Sequence, residues 1–149
     1  MSIESEQDLL ELRKVGRIVA SALHAMQNAI IPGVTTSQLD VVGGALLHRE
    51  GARSAPKHHY GFPTDTIVCV NDEIVHGIPR DRVIREGDLV TFDVTAERGG
   101  YIADAAVTVS VGTVSETHRR LAACTVRALA RAVGIAREGC RIRHIGREV

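Results

Sequence analysis

The sequence predicts a mixed α/β (α+β) fold in which helices precede and follow a group of strands. Two observations carry this prediction. Near both ends of the chain, apolar residues recur at steps of three and four, as in amphipathic helices. Between them, two segments of alternating polarity flank a Gly-Gly pair, as in a β-hairpin. With 149 residues, of which 44% are hydrophobic and 24% charged, the chain is long enough to bury a core.

Two helices are predicted in the first third of the chain. The first begins after Ser5, a residue type that caps helices, and ends before the Pro-Gly pair at 32–33. The second begins after Thr35, where Gln38 completes a capping-box pattern, and ends at Gly51.

The middle of the chain changes character. Residues 54–63 are polar, aromatic, Gly and Pro, which predicts a loop. His58 and His59 within it could be metal ligands, but the pattern favours a solvated loop. A short buried strand follows at 66–70.

Two further strands, 89–96 and 101–111, are predicted to form a hairpin. The last helices are expected from Ser115 to about Arg137, with Leu121 among the buried positions, and from about Arg143 onward. The two helix pairs resemble each other at an offset of 106 residues, which aligns Gly33 with Gly139 and suggests an internal repeat.

Asp93 and Asp104 are the most informative pair in the hairpin. If the hairpin turns symmetrically about the bond between Arg98 and Gly99, the two aspartates face each other directly across the strands. Like charges in that arrangement destabilise a sheet. They are tolerated if both are exposed, if they share a proton, or if a divalent cation lies between them. The pattern alone leaves these three interpretations open.

His76 is a second candidate, followed by Gly77, Ile78 and Pro79. A histidine in such a segment is compatible with an ordinary loop residue that makes one backbone hydrogen bond. The functional interpretation is an imidazole at the mouth of a pocket, where it can donate a hydrogen bond or exchange a proton near neutral pH.

Composition excludes several classes of protein. The 18 Lys and Arg residues balance 18 Asp and Glu residues, which removes the usual electrostatic reason for binding nucleic acid or a membrane surface. No apolar run approaches the roughly 18 residues of a membrane span. The acidic start lacks a signal-peptide pattern, and three widely spaced cysteines predict reduced thiols. We therefore expect a cytoplasmic protein.

Several segments match a known family in order and spacing: residues 12–17, 32–36, 60–63, 71–79, 86–94, 100–104 and 111–112. Together they resemble the methionine aminopeptidases, in particular the short bacterial type I form. The resemblance runs from about residue 6 to the end of the chain. It implies the pita-bread (creatinase/aminopeptidase) fold of two pseudo-symmetric halves, with residues 1–149 an incomplete catalytic domain that stops within the second half.

The resemblance also implies roles for individual residues. Asp93 and Asp104 would be metal ligands, His76 would bind the substrate, and Tyr60 and Phe62 would line the methionine pocket. Two divalent ions per complete site are implied, with Co, Mn, Fe, Zn or Ni all possible identities. The remaining ligands, one His and two Glu, and the catalytic Glu belong to the second half, so no catalytic residue is assigned within 1–149.

The implied reaction is removal of the initiator methionine from nascent polypeptides by a metal-activated water. The expected partner is the N-terminal methionine of such chains, with the ribosome as a candidate and a monomer as the complete form. The isolated 149 residues are expected to be inactive and to expose apolar helix faces. Two alternatives remain: a truncated, non-catalytic relative that binds peptides or partners, and another pita-bread enzyme, such as a proline-specific aminopeptidase or creatinase relative.

Overall fold

The computed structural model describes residues 3–149, which divide into one compact unit ending at Thr113 and a second, Val114–Val149. The first contains three helices and four strands. Its elements are α1 (Glu6–Ala29), α2 (Thr36–Arg49), β1 (Arg53–Ser54), α3 (Ala55–Tyr60), β2 (Ile67–Val70), β3 (Leu89–Arg98) and β4 (Tyr101–Ser110). The second contains α4 (Glu116–Ile135) and α5 (Ile142–Glu148).

The first two helices begin and end where the sequence predicts. The Ser5 side chain accepts a hydrogen bond from the backbone N–H of Asp8 at 3.1 Å. Thr35 and Gln38 form the reciprocal capping box. After α2, Gly51 adopts a φ of 67°, the left-handed conformation that commonly follows a helix end.

The strand β3 organises the sheet. β4 pairs with its whole length, so β1 and β2 share its other edge, all in antiparallel orientation. Every second residue of β3 is fully buried and belongs to the same core as the apolar face of α1. The core residues of these two elements are Val90, Phe92, Val94 and Ala96 of β3 and Val15, Ile18, Val19, Ala22, Leu23 and Met26 of α1.

The hairpin register differs from the symmetric register expected above. Arg98 pairs with Tyr101, which leaves Gly99 and Gly100 as a two-residue turn. Asp104 therefore lies opposite Thr95, and the predicted direct pairing of Asp93 with Asp104 is wrong. Both glycines have positive φ, 60° and 86°, as a type I′ turn requires, and such a turn matches the twist of the strands.

Residues 54–63 are not the loop that their composition predicts. The Ser54 side chain caps the short helix α3 by accepting a hydrogen bond from the Lys57 N–H at 3.4 Å. Pro56 lies in the first turn, where its missing N–H costs nothing, and Gly61 ends the helix at a φ of 72°. Polar composition concealed a helix because its capping residues are themselves loop formers.

The second unit has the same helix–turn–helix order as the start of the chain. α4 ends 106 residues after α1, and α5 begins 106 residues after α2. Gly33 and Gly139, in the two intervening turns, both have positive φ, 100° and 79°. The predicted repeat is thus matched by the helix boundaries.

The apolar positions of α4 are largely exposed, as expected. Only Ala132 is buried in this helix, and the prediction that Leu121 is buried is wrong, because it is 59% exposed. α5 has seven residues and is too short to cover the apolar face of a 20-residue helix.

Two expectations from composition concern the whole chain. All three cysteines are free thiols. Within residues 3–149, no helix has the length and hydrophobicity that crossing a membrane would require.

The turn at Gly99 offers a test of the register. No atom lies within 4 Å of a Cβ placed at this residue, so a substitution there acts through backbone conformation. Gly99→Val should destabilise the chain by about 1–2 kcal/mol, because a β-branched residue resists positive φ. Gly99→Asn, the matched control, should be nearly neutral, because Asn-Gly favours the type I′ turn. Urea unfolding followed by circular dichroism measures both, and equal losses would contradict this turn geometry.

Candidate metal centre

The polar face of β3 carries the candidate ligands. Because its alternate residues are buried against α1, Thr91, Asp93 and Thr95 lie on the opposite face. Thr95 is the register partner of Asp104 and donates a hydrogen bond from Oγ1 to Asp104 Oδ1 at 2.8 Å. Asp93 lies two residues before Thr95 on the same face of β3, so the two aspartates are diagonal neighbours on that face.

The two carboxylates influence each other. Burial, followed by the negative charge of Asp104 and a hydrogen bond with it, raises the pKa of Asp93 to about 6. The nearby His76 acts in the opposite sense. Two carboxylates this close repel each other, and a divalent cation bound between them would offset that repulsion.

The loop that carries His76 is fastened to β2. Gly77 accepts a hydrogen bond from the Val68 N–H at 3.0 Å, and its own N–H donates to Cys69 Sγ at 3.3 Å. A Cβ on Gly77 would lie 2.4 Å from the Val68 carbonyl oxygen, so no larger residue fits this contact. His76 itself has a φ of 59°, which is unusual for a residue with a side chain.

The predicted pocket residues differ in their placement. The ring of Phe62 meets the ring of His76 edge to face, with 6.4 Å between centroids. Tyr60 is 71% exposed. The structure thus brings together Asp93, Asp104, His76 and Phe62, and leaves Tyr60 at the surface.

Among residues 3–149, the one group of three or more candidate metal ligands consists of His58, His59 and Glu97, not the two aspartates. Asp93 and Asp104 are therefore a two-carboxylate set without a third side chain within ligand distance in the described part of the chain. Hard divalent cations accept such oxygen donors, but transition metals bind weakly without nitrogen or sulfur ligands.

Sequence reasoning missed two residues on this face. Nothing in the predicted strand 89–96 singles out Thr95, which the observed register pairs with Asp104. Glu97 lies beyond the end of that predicted strand, yet it is the last buried position of β3 and pairs with Arg53 of β1. A two-residue Gly-Gly turn, which extends the first strand from residue 96 to residue 98, was the available signal for both.

Comparison with known proteins decides the family. The model of metallopeptidase family M24 matches residues 11–149. The chain belongs to metallopeptidase family M24. Methionine aminopeptidase 2 of Bacillus subtilis is 39% identical over 150 residues, covering 100% of this chain and 60% of that protein. A methionine aminopeptidase of Helicobacter pylori is 34% identical over 145 residues, covering 97% of this chain and 57% of the relative.

Solved structures agree with this family. A methionine aminopeptidase from Thermotoga maritima superposes with a TM-score of 0.96 at 31% identity, covering 100% of this chain and 60% of that one. The enzyme from Rickettsia prowazekii gives 0.93 at 29% identity, covering 99% of this chain and 60% of the other. The predicted pita-bread fold is thus confirmed for this M24 chain, which spans about 60% of the length of these relatives.

The pKa of Asp93 predicts how stability depends on pH. A folded-state pKa of about 6, above the ordinary 3.8, means that the folded chain binds more protons than the unfolded chain between these values. The stability of the metal-free chain should therefore fall as pH rises from about 4 to above 6.

Asp93→Asn should remove this penalty. In chelator, the variant should melt a few degrees above the parent chain at pH 8, and the difference should vanish near pH 3.5. Differential scanning calorimetry across this range measures it. Asp72→Asn, at an exposed acid, is the control. A variant that melts below the parent chain at pH 8 would contradict the repulsion described here.

Proposed function

We propose that this chain is part of a metal-dependent aminopeptidase that removes N-terminal methionine from nascent proteins. The observation that carries the proposal is the pair of carboxylates on one face of the β3–β4 hairpin, with the His76 loop beside it. The methionine aminopeptidases that the chain resembles at 34–39% identity give the substrate class.

Asp93 and Asp104 are proposed as two ligands of a centre for two divalent ions. Their oxygen donors suit such ions, and burial together with the charge of Asp104 raises the pKa of Asp93, a cost that a bound cation would offset. Bound divalent ions would supply an acidified water and polarise the scissile carbonyl. Thr95 would orient Asp104 by donating a hydrogen bond to one of its carboxylate oxygens.

His76 is proposed to hydrogen-bond the substrate. The docking of Gly77 against β2 fixes the path of this loop, so the imidazole is positioned before substrate arrives. Phe62 against the His76 ring would form one wall of the methionine pocket, and Tyr60 would join it from the end of α3. An apolar wall suits the unbranched thioether side chain.

The whole enzyme is proposed to need more than these 149 residues. Within 3–149, two carboxylates form the centre, and a hydrolytic site of two ions needs further ligands. We propose that residues 1–149 supply one part of a single catalytic domain, that the chain alone is inactive, and that the complete enzyme is a cytoplasmic monomer acting on nascent chains, with the ribosome a candidate partner. A non-catalytic peptide-binding relative is the competing function.

Metal binding tests the centre directly. The chain should bind Mn²⁺ weakly, with a Kd of about 10⁻⁴–10⁻³ M, because two carboxylates leave most coordination to water. Asp93→Asn and Asp104→Asn should each abolish this binding, as measured from the EPR signal of free Mn²⁺. Glu6→Gln, at an exposed acid on α1, is the matched control. Binding that survives both aspartate substitutions would remove the proposed centre.

Activity tests the enzyme hypothesis against the peptide-binding alternative. The 149-residue chain should release no methionine from Met-Ala-Ser with Co²⁺ or Mn²⁺. A chimera in which it replaces the matching 60% of the Bacillus subtilis relative should release methionine. In that chimera, His76→Asn should lower kcat/KM by about 10²-fold, since Asn tolerates the left-handed backbone but lacks the imidazole. An inactive but folded chimera that still binds Met-Ala-Ser would favour the alternative.

A further inference from the structure

The end of β3 holds a second group of potential ligands on the same face of the strand as Asp93. Glu97 has only 8% of its surface exposed, although it is a carboxylate. His59 Nε2 lies 3.0 Å from Glu97 Oε2, and the neighbouring His58 ring stands edge to face with the His59 ring at 5.0 Å. One potential ligand atom from each of the three residues lies within 4.8 Å of the others.

We propose that His58, His59 and Glu97 form a site for a transition-metal ion of the Zn²⁺ class, which fastens α3 to β3. Two imidazole nitrogens and one carboxylate oxygen are ligands that Zn²⁺ takes, with water in the fourth position. This donor set is distinct from the two carboxylates of the candidate metal centre, because nitrogen ligands select transition metals over Mg²⁺ or Ca²⁺.

The distances fit with small adjustments. Zn²⁺ bonds of 2.0–2.2 Å in a tetrahedron put ligand atoms about 3.4 Å apart. The His59–Glu97 separation of 3.0 Å is already close to this value. The other ligand atoms lie at most 4.8 Å apart, so they have to approach each other by no more than about 1.4 Å. His58 is exposed and, within residues 3–149, makes no side-chain hydrogen bond, so its ring is free to rotate that far.

Arg53 is the competitor at this site. Its guanidinium donates to both oxygens of Glu97 at 3.0–3.3 Å, and these bonds lower the pKa of the carboxyl group. The Arg53 side chain is 53% exposed and can turn toward water when a metal takes its place. The positive charge of Arg53 opposes the binding of any cation. The site therefore favours an ion that bonds strongly to imidazole over Mg²⁺ or Ca²⁺, which do not.

The surroundings give a hydrated ion a route to these ligands. A cavity of about 480 Å³ is lined by Arg53, Lys57 and His58, among others, and a second of about 470 Å³ by Arg53 and Glu97. A metal ion can enter a site that opens to solvent in this way while the chain stays folded. The ion would hold the last turn of α3, which ends at Tyr60 and is followed closely by Phe62. It would therefore restrict the segment proposed above to line the methionine pocket.

The test uses the 149-residue chain carrying Asp93→Asn and Asp104→Asn, so that the candidate metal centre does not contribute. Zn²⁺ titrated by calorimetry should bind at one equivalent. Side-chain ¹⁵N–¹H NMR should show the His58 and His59 imidazole signals shifting, while those of His24 and His76 stay in place. Zn²⁺ should also raise Tm.

Substitutions in the same background separate a metal site from an ordinary hydrogen bond. His58→Asn removes an exposed ring that makes no hydrogen bond to the described residues. It should weaken Zn²⁺ binding at least about 10–100-fold, the loss that follows when a residue that merely supports a metal ligand is replaced. His59→Asn should do the same. His24→Asn, at an exposed residue on α1, should bind like the parent.

Three results would overturn the proposal: Zn²⁺ binding that His58→Asn leaves unchanged, Zn²⁺ binding that shifts neither the His58 nor the His59 signal, or a Kd weaker than about 1 mM. None of them bears on the Asp93–Asp104 centre, which is absent from this background and is tested with Mn²⁺.

Discussion

The burial of one face of β3 against α1 is the constraint on which the rest of the structure depends. Phe92 and its alternate neighbours are fully buried, and Val15, Val19 and Met26 of α1 belong to the same core. Because side chains of a strand alternate between faces, this burial forces the intervening residues to the other side. A shift of one residue would exchange the two sets, placing Asp93 in the core and Phe92 in water.

Two carboxylates on that outward face show opposite electrostatics. The pKa of Asp93 is raised by burial and by Asp104, whereas the pKa of Glu97 is lowered by hydrogen bonds from Arg53. The charge of Glu97 is thus balanced by a neighbouring guanidinium, whereas the main charged neighbour of Asp93 is another carboxylate. This difference in neighbours, rather than in the carboxyl groups themselves, separates the proposed two-carboxylate centre from the proposed site with two histidines.

The sequence alone predicted the features that depend on hydrophobic periodicity and helix capping. The starts of α1 and α2 and the alternation of β3 were readable because each depends on a few adjacent residues. The helix-pair repeat was readable because it compares two such local patterns along the chain. The pairing of Asp93 with Asp104 was not, since it depends on whether the turn contains two residues or four. α3 was missed because Ser54 and Gly61, which begin and end it, are also typical of loops. The approach of His59 to Glu97 joins residues 38 positions apart and has no local signal.

The backbone at His76 and its side chain favour different residues. A φ of 59° is adopted most easily by Gly and, after it, by Asn, whereas only His supplies an imidazole there. Selection for stability alone would therefore favour Gly or Asn at this position, and the substrate contact proposed for His76 would oppose that change. Retention of His76 in randomly mutated, active forms of the chimera would then measure how strongly that contact, rather than folding, constrains this loop.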